Sequence, residues 1–500
     1  MLTASGSASS SLRAEYNLAY VWTICLVAAL GGLLFGYDWV VIGGAKPFFE
    51  AYFEVRSEAL RGWANSCALL GCLLGSLISG GLSDRLGRKK LLLASAVLFA
   101  VSSVLTGWAP SFPSFVVWRI AGGVAIGMAS NLSPMYIAEV APARIRGRLV
   151  AVNQLTIVIG ILAAQVANYY IARGSPQPSE EIVQQVMQRE HLERDAAVKT
   201  ASAEVIRPSW YGRYAWRWMF TAVTVPSLLF LVGASLIPES PRWLVKNGCA
   251  EQARRILARI GGEQHAATEV ADIQQTIAGH EIQRVRFSDL LEPKMLRILL
   301  VGVALAVLQQ WSGINSIFNY AEEIYRSAGY GISGIMFNIV ITGAINLVCT
   351  LVAIGTVDHF GRRRLMLVGC AGIGLSHALI GIAYYLGLKG LSVLIFTLCA
   401  LGCYGVSLAP VTWVLIAEIF PNRIRGAAIS VAVSALWIAC FILTFLFPIL
   451  TGKVGMAATF WLYAGICALG FVFVFLRVPE TKGKALEQIE RELIDEASGS

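Results

Sequence analysis

The residues best placed to do chemistry in this chain are charges and amides set in apolar surroundings. Asp38 closes the run Gly32-Leu33-Leu34-Phe35-Gly36-Tyr37-Asp38, inside a stretch, 19–44, that carries no other charge. Arg119, in Val117-Trp118-Arg119-Ile120-Ala121, is likewise a lone cation among apolar neighbours. A charge at mid-bilayer costs about 2.5–3.5 kcal/mol on insertion scales, so such groups persist where they pair or work. A carboxylate beside a guanidinium binds or releases a proton according to how closely the cation approaches, which is what a coupling site requires. Amides recur in the same kind of setting, at Gln154, Gln309, Gln310, Asn315 and Asn346, with Trp413 and Trp437 in later apolar segments. An amide donates and accepts at once, and an indole offers a flat apolar face.

The elements that must carry these side chains are membrane helices. The chain has 500 residues, 56% hydrophobic and 14% charged, against roughly one quarter charged in an ordinary soluble domain. About twelve apolar segments recur along its length, each of about 20 residues and so able to cross a hydrocarbon core of roughly 30 Å. The expected fold is all-α and integral to the membrane. At 1.5 Å per residue, Asp38 on an outward-running helix and Arg119 on a returning one both lie roughly 9 Å below the outer surface, so the two can pair.

The net charge of +9 falls in short clusters at alternate loops: Arg85, Arg88, Lys89 and Lys90; Arg144, Arg146 and Arg148; Arg362, Arg363 and Arg364; Arg423 and Arg425. That is the positive-inside pattern, and it puts both termini and the central linker on the cytoplasmic side. It accounts for the basic charge without nucleic acid. All cysteines except Cys249 lie in apolar spans and read as small hydrophobes rather than disulfide partners. The five histidines and the acids show no metal-ligand or nucleophile spacing, so no enzyme activity, metal or cofactor is expected.

The chain repeats itself. The loop Asp84-Arg85-Leu86-Gly87-Arg88-Lys89 is matched by Asp358-His359-Phe360-Gly361-Arg362-Arg363, and Glu139 with Arg146-Gly147 by Glu418 with Arg425-Gly426. A third pair, Pro238-Glu239-Ser240 and Pro479-Glu480-Thr481, has a shorter offset, so the first half carries extra residues. Two six-helix halves, 18–237 and 297–477, are therefore expected, with a polar insertion at about 173–213 outside the cytoplasm and cytoplasmic linker helices over 238–296. Residues 1–17 read as a disordered tail and 478–500 as a second cytoplasmic tail. Within the insertion, 179–203 has the pattern of an amphipathic helix, either surface decoration or a docking element. The acid and arginine pairs Asp84, Arg88, Glu139 and Arg146, and their counterparts Asp358, Arg362, Glu418 and Arg425, would lie at helix ends near the inner opening. Charge-assisted bonds made there when the inner side closes would form a cytoplasmic gate.

These motifs, with Pro238-Glu239-Ser240-Pro241-Arg242-Trp243-Leu244, Gln309-Gln310-x-x-Gly313-x-Asn315 and Pro479-Glu480-Thr481-Lys482-Gly483, resemble the sugar porter family of the major facilitator superfamily over roughly 18–485. The resemblance implies a monosaccharide transporter working by alternating access, with Phe35, Gln154, Gln309, Gln310, Asn315, Asn319, Asn346, Trp413 and Trp437 contacting the sugar. Glu239 and Arg242 join the cytoplasmic gate by the same resemblance. It also implies proton symport, because family symporters carry Asp at the Asp38 position where facilitators often carry Asn. A uniporter with the same site is the alternative, and a non-transporting sensor a remote one. Asn319 stands where better-known members have tyrosine, Leu436 where an amide precedes the tryptophan, and Val223 where a symporter has a second acid. The expected partners are a small sugar, protons and the bilayer, for a monomeric protein of the cell membrane.

Overall fold

The computed structural model describes residues 16–142, 144–280, 290–388, 390–420 and 424–482. The expected tails fall mainly outside these residues, as does 281–289 of the linker. Five long helices open the chain: α1 (Leu18–Phe53), α2 (Glu58–Leu86), α3 (Arg88–Gly107), α4 (Phe112–Val140) and α5 (Arg146–Ala172). Asn17 starts α1 by accepting from the Tyr20 amide at 3.1 Å, and Ser111 starts α4 by accepting from Ser114, each satisfying one orphan donor of a first turn. The insertion holds α6 (Glu180–Glu190) and α7 (Arg194–Ile206), and the sixth span is α8 (Trp216–Thr221) with α9 (Thr224–Leu236). The linker contributes α10 (Pro241–Lys246) and α11 (Ala250–His280).

The second half follows the same plan with more breaks. Its seventh span is divided into α12 (Pro293–Trp311), α13 (Ile314–Asn319) and α14 (Ala321–Ser327); α15 (Ile332–Phe360) and α16 (Arg362–Tyr385) follow, then α17 (Leu391–Val406) and α18 (Leu408–Ile419). The last helix, α19 (Arg425–Arg477), is two spans joined through Gly455, whose φ of 83° is not helical. Among the described residues eleven segments are long and apolar enough to cross a membrane, and the last is 51 residues long; with the break at Gly455 it crosses twice. The protein is thus a multi-pass, twelve-span α-helical membrane protein.

In the first half α2 packs on α4 and α1 on α5; in the second, α16 packs on α17 and α19. The α2–α4 contact is backbone to backbone, since a Cβ at Gly123 would lie 1.9 Å from the Ala68 carbonyl oxygen and one at Gly75 2.1 Å from that of Val124. Small residues allow this approach, which dispersion rewards in a lipid setting. The halves meet through α2 against α19, α5 against α15, and α1 against α13 and α14. These contacts concentrate on the face opposite the basic loops. There Trp63 meets Phe441 at 6.3 Å and Tyr169 meets Phe337 at 6.3 Å.

The insertion differs from the single helix expected over 179–203. His191 adopts the left-handed conformation (φ 51°) and ends α6. The chain then turns back, so that Val183 and Val186 bury against Ala197 and Ala201. A single exposed amphipathic helix would have left that apolar stripe in water, and the hairpin removes it.

Candidate functional site

Asp38 and Arg119 are brought together as the spacing implied. One guanidinium nitrogen of Arg119 donates to both carboxylate oxygens of Asp38 at 3.0 Å, with the two side chains 4% and 5% exposed. The Phe220 ring lies 5.2 Å from the guanidinium on another side. The pair belongs wholly to the first half, on α1 and α4.

The amides assemble around the break in the seventh span. Trp311 ends α12, Gly313 takes φ 85°, and α13 begins at Ile314. Any side chain at Gly313 would be strained in this conformation, and its Cβ would sit 2.7 Å from the Tyr463 ring. The break turns Asn315 back toward the preceding helix. Gln309 donates to the Tyr404 hydroxyl at 2.9 Å, Gln310 donates to the Gln309 oxygen at 2.6 Å, and Asn315 donates to Gln310. All three amides are buried, as are Asn319 and Asn346. The Gln309, Gln310 and Asn315 side chains form a chain of donors and acceptors, held in line and able to exchange partners with hydroxyls.

Trp437 is 4% exposed, with its indole N–H unpaired. Its ring lies 6.1 Å from Phe35 and 6.0 Å from Trp39, and Phe35 and Trp39 meet edge to face at 5.9 Å. Trp39 therefore joins an aromatic wall that the sequence reading confined to Phe35, Trp413 and Trp437. Its signal was a bulky indole directly after Asp38, far from either helix end. Trp39, Asn65, Arg119 and Asn319 line one small cavity, so the aromatic wall and the ion pair border the same space. Trp413, on α18, is 40% exposed and stands apart from that trio, and Gln154 on α5 is half-buried.

Two further groups were not singled out from sequence. His377, fully buried on α16, holds the Ser312 carbonyl at 2.8 Å, one of the backbone groups freed by the break. Lys46 and Glu323 form an ion pair at 2.7 Å between α1 and α14, with the lysine side chain 0% exposed. Lys46 lies just past the uncharged stretch that drew attention to Asp38, and a cation inside so long an apolar helix was the available clue.

At the basic-loop face each acid and arginine cluster closes within its own half. Arg88 pairs with Glu139 at 2.9 Å and Asp84 at 3.2 Å; Glu239 accepts from the Arg88 and Lys89 amides, and Ser240 donates to Glu139. In the second half Arg362 reaches Glu418 at 3.4 Å, Glu480 accepts from the Arg362 and Arg363 amides, and Thr481 donates to Glu418 at 2.6 Å. Arg146 and Arg242 are exposed, and the side chains of Asp358 and Arg425 lie outside the described residues. None of the pairs named here joins the halves.

Residues 24–493 match the family model described as sugar (and other) transporter. Among curated proteins the chain is similar to the D-xylose-proton symporter of Escherichia coli strain K12, 36% identical over 96% of this chain and 97% of that one. It is 38% identical to the glucose transport protein of Synechocystis, over 96% and 99% of the two chains, and 34% identical to the arabinose-proton symporter of Bacillus subtilis, over 95% and 96%. Among solved structures it is similar to the xylose transporter XylE from E. coli in a partially occluded inward-open conformation (TM-score 0.78, 34% identity, 93% of this chain and 100% of that one). A second is the proton:xylose symporter XylE bound to 6-bromo-6-deoxy-D-glucose (TM-score 0.76, 35% identity, 96% and 100%).

Proposed function

Because the chain belongs to the sugar porter family of the major facilitator superfamily, we propose that it is a proton-coupled monosaccharide symporter, not an enzyme, working as a monomer in the cell membrane with both termini cytoplasmic. The observation that carries coupling is the buried Asp38–Arg119 pair, one guanidinium nitrogen 3.0 Å from both carboxylate oxygens, with Arg119 lining the cavity that Trp39 and Asn319 also line. The buried amide chain and the aromatic wall support a neutral, hydroxyl-rich ligand. The named relatives that are proton symporters of pentoses lend support to the substrate class.

In this reading a proton arriving from outside neutralises Asp38 and releases Arg119. Sugar then displaces the amides from one another, Gln310 and Asn315 turning their donors and acceptors to its hydroxyls while Trp437 takes its apolar face. With both ligands bound the halves rock about the site, and Asp38 gives its proton inward when the pair re-forms. That the halves meet on the face opposite the basic loops supports an inward-facing arrangement, the basic loops being cytoplasmic in this reading. The Arg88–Glu139 and Arg362–Glu418 clamps keep helix ends together within each half, and exposed Arg146 is free to reach across when the inner side closes.

The test is uptake by proteoliposomes of a panel of pentoses and hexoses, with and without an inward proton gradient, while external pH is followed. Symport predicts accumulation above equilibrium and alkalinisation of the medium with the transported sugar. Uptake that only equilibrates and moves no protons would identify a facilitator instead.

A further inference from the structure

We propose that Lys46, Glu323 and Lys199 form an extracytoplasmic lock that positions the seventh span during transport, and that the insertion at 173–213 enters the cycle through it; the inference rests on the alternating-access reading above. Lys46 Nζ lies 2.7 Å from Glu323 and 4.2 Å from the centre of the Tyr320 ring, with no exposed surface. Lys199, on α7 of the insertion, reaches the same Glu323 oxygen at 3.5 Å. Behind them Arg61 pairs with Glu50 at 3.3 Å and Glu58 at 2.7 Å, and Lys46 lies 3.9 Å from Glu50.

The charges balance only while the halves touch. Lys46, Arg61 and Lys199 face Glu50, Glu58 and Glu323. Five of these six ride on α1, α2 and α7, and Glu323 alone rides on α14 of the second half. Outward opening must pull Glu323 away, leaving one uncompensated charge on each side, which water can accept once the gap is wet but a sealed interface cannot. The lock therefore stabilises the sealed state specifically.

It is also wired to the sugar site. Asn319 is the last residue of α13 and Tyr320 joins it to α14. Opposite them Gly43 lets α1 approach so closely that a Cβ there would be 2.9 Å from the Phe318 carbonyl oxygen. A sugar that pulls on Asn315 or Asn319 thus moves the short helix that carries Glu323. A second contact of the insertion with the second half sets the Gln177 side chain against Gly331.

Hydrogen exchange on the full chain in nanodiscs, without sugar or gradient, tests the lock. Replacing Glu323→Gln takes the nearer acid from Lys46 and leaves the sealed interface with one excess positive charge, so peptides covering 41–53 and 314–327 should exchange about tenfold faster or more. Glu323→Asp should stay near the parent. The double change Lys46→Met with Glu323→Gln removes both charges and should restore slow exchange, and Lys199→Met alone should give a smaller acceleration. Unchanged exchange in Glu323→Gln, or a double variant as fast as the single, overturns the lock; no effect of Lys199→Met removes the insertion from it. Retained sugar-induced tryptophan quenching in each variant reports folding. Because exchange is read without transport, failure of the symport reading and failure of the lock are separate results.

Discussion

At the scale of residues, the contrast between Asp38 and the amides decides what each substitution should do. Asp38→Asn keeps the shape and one acceptor for Arg119 but cannot ionise, so uphill accumulation should be lost while sugar counterflow in preloaded liposomes is spared. Accumulation surviving in that variant would remove Asp38 from coupling. Trp437→Ala should act on the other ligand. It deletes a buried aromatic face from the wall with Phe35 and Trp39, and aromatic contacts of this kind contribute about 0.5–1.5 kcal/mol beyond the area they bury. Sugar affinity should fall by about tenfold or more in a binding titration, whereas proton movement driven by saturating sugar stays coupled. Asp38, Arg119 and the Gln309–Gln310–Asn315 series were legible in the chain because each is polar where polarity is expensive. Trp39 and His377 were not: an indole in an apolar helix looks like packing, and a histidine that holds a freed carbonyl leaves no trace in local spacing. Lys46 escaped for another reason, since its partner Glu323 lies 277 positions away (323 − 46), and only the contact between halves gives it meaning.

At the scale of elements, the seventh span shows how a sequence interruption becomes a site. Ser312-Gly313 between the glutamine pair and Asn315 announces a break, and the structure shows what it costs and what holds it. Gly313 sits at φ 85° with the Tyr463 ring against it, and His377 and Tyr463 fasten Ser312 and Ser316 on either side. Gly313→Ala adds about 1–2 kcal/mol of backbone strain, plus displacement of Tyr463. It should lower the thermal midpoint and weaken sugar binding together, in detergent and by tryptophan quenching. Gly355→Ala, on α15 with open space where the Cβ would go, is the matched control and should change neither. Equal behaviour of the two variants would mean the break does not shape the site. The tenth span carries a comparable interruption at Ser407, whose φ of −128° and ψ of −91° separate α17 from α18. Pro410, the residue there that removes a helix donor, lies three residues beyond that break. Local chemistry locates such interruptions only approximately, because the helix yields where neighbours can supply partners for the freed backbone. The insertion is the plainest case, since its amphipathic pattern over 179–203 could not reveal that His191 would turn the chain back on itself.

At the scale of the whole molecule, duplication is the most legible feature and also the one that makes a quantitative prediction. The sequence repeat paired Pro238-Glu239-Ser240 with Pro479-Glu480-Thr481, and the structure gives the two triplets the same work. Each glutamate accepts from the first two amides of a helix, α3 or α16, and each hydroxyl bonds a second acid, Glu139 or Glu418. A carboxylate at a helix start satisfies orphan donors and meets the positive end of the helix dipole. Neutralising it to Gln removes charge assistance from two bonds, a loss of about 1–3 kcal/mol. Glu239→Gln and Glu480→Gln should therefore destabilise the protein by similar amounts. The two sites lie in different halves and share no bonding partner, so their effects should add in the double variant to within about 0.5 kcal/mol. Unfolding titrations in detergent micelles measure this directly. A marked excess in the double variant would show that the two clamps communicate through the basic face, which would join them to the inner gate; simple addition leaves each as the fastening of its own half, and assigns the exchange between halves to the face where Lys46 meets Glu323.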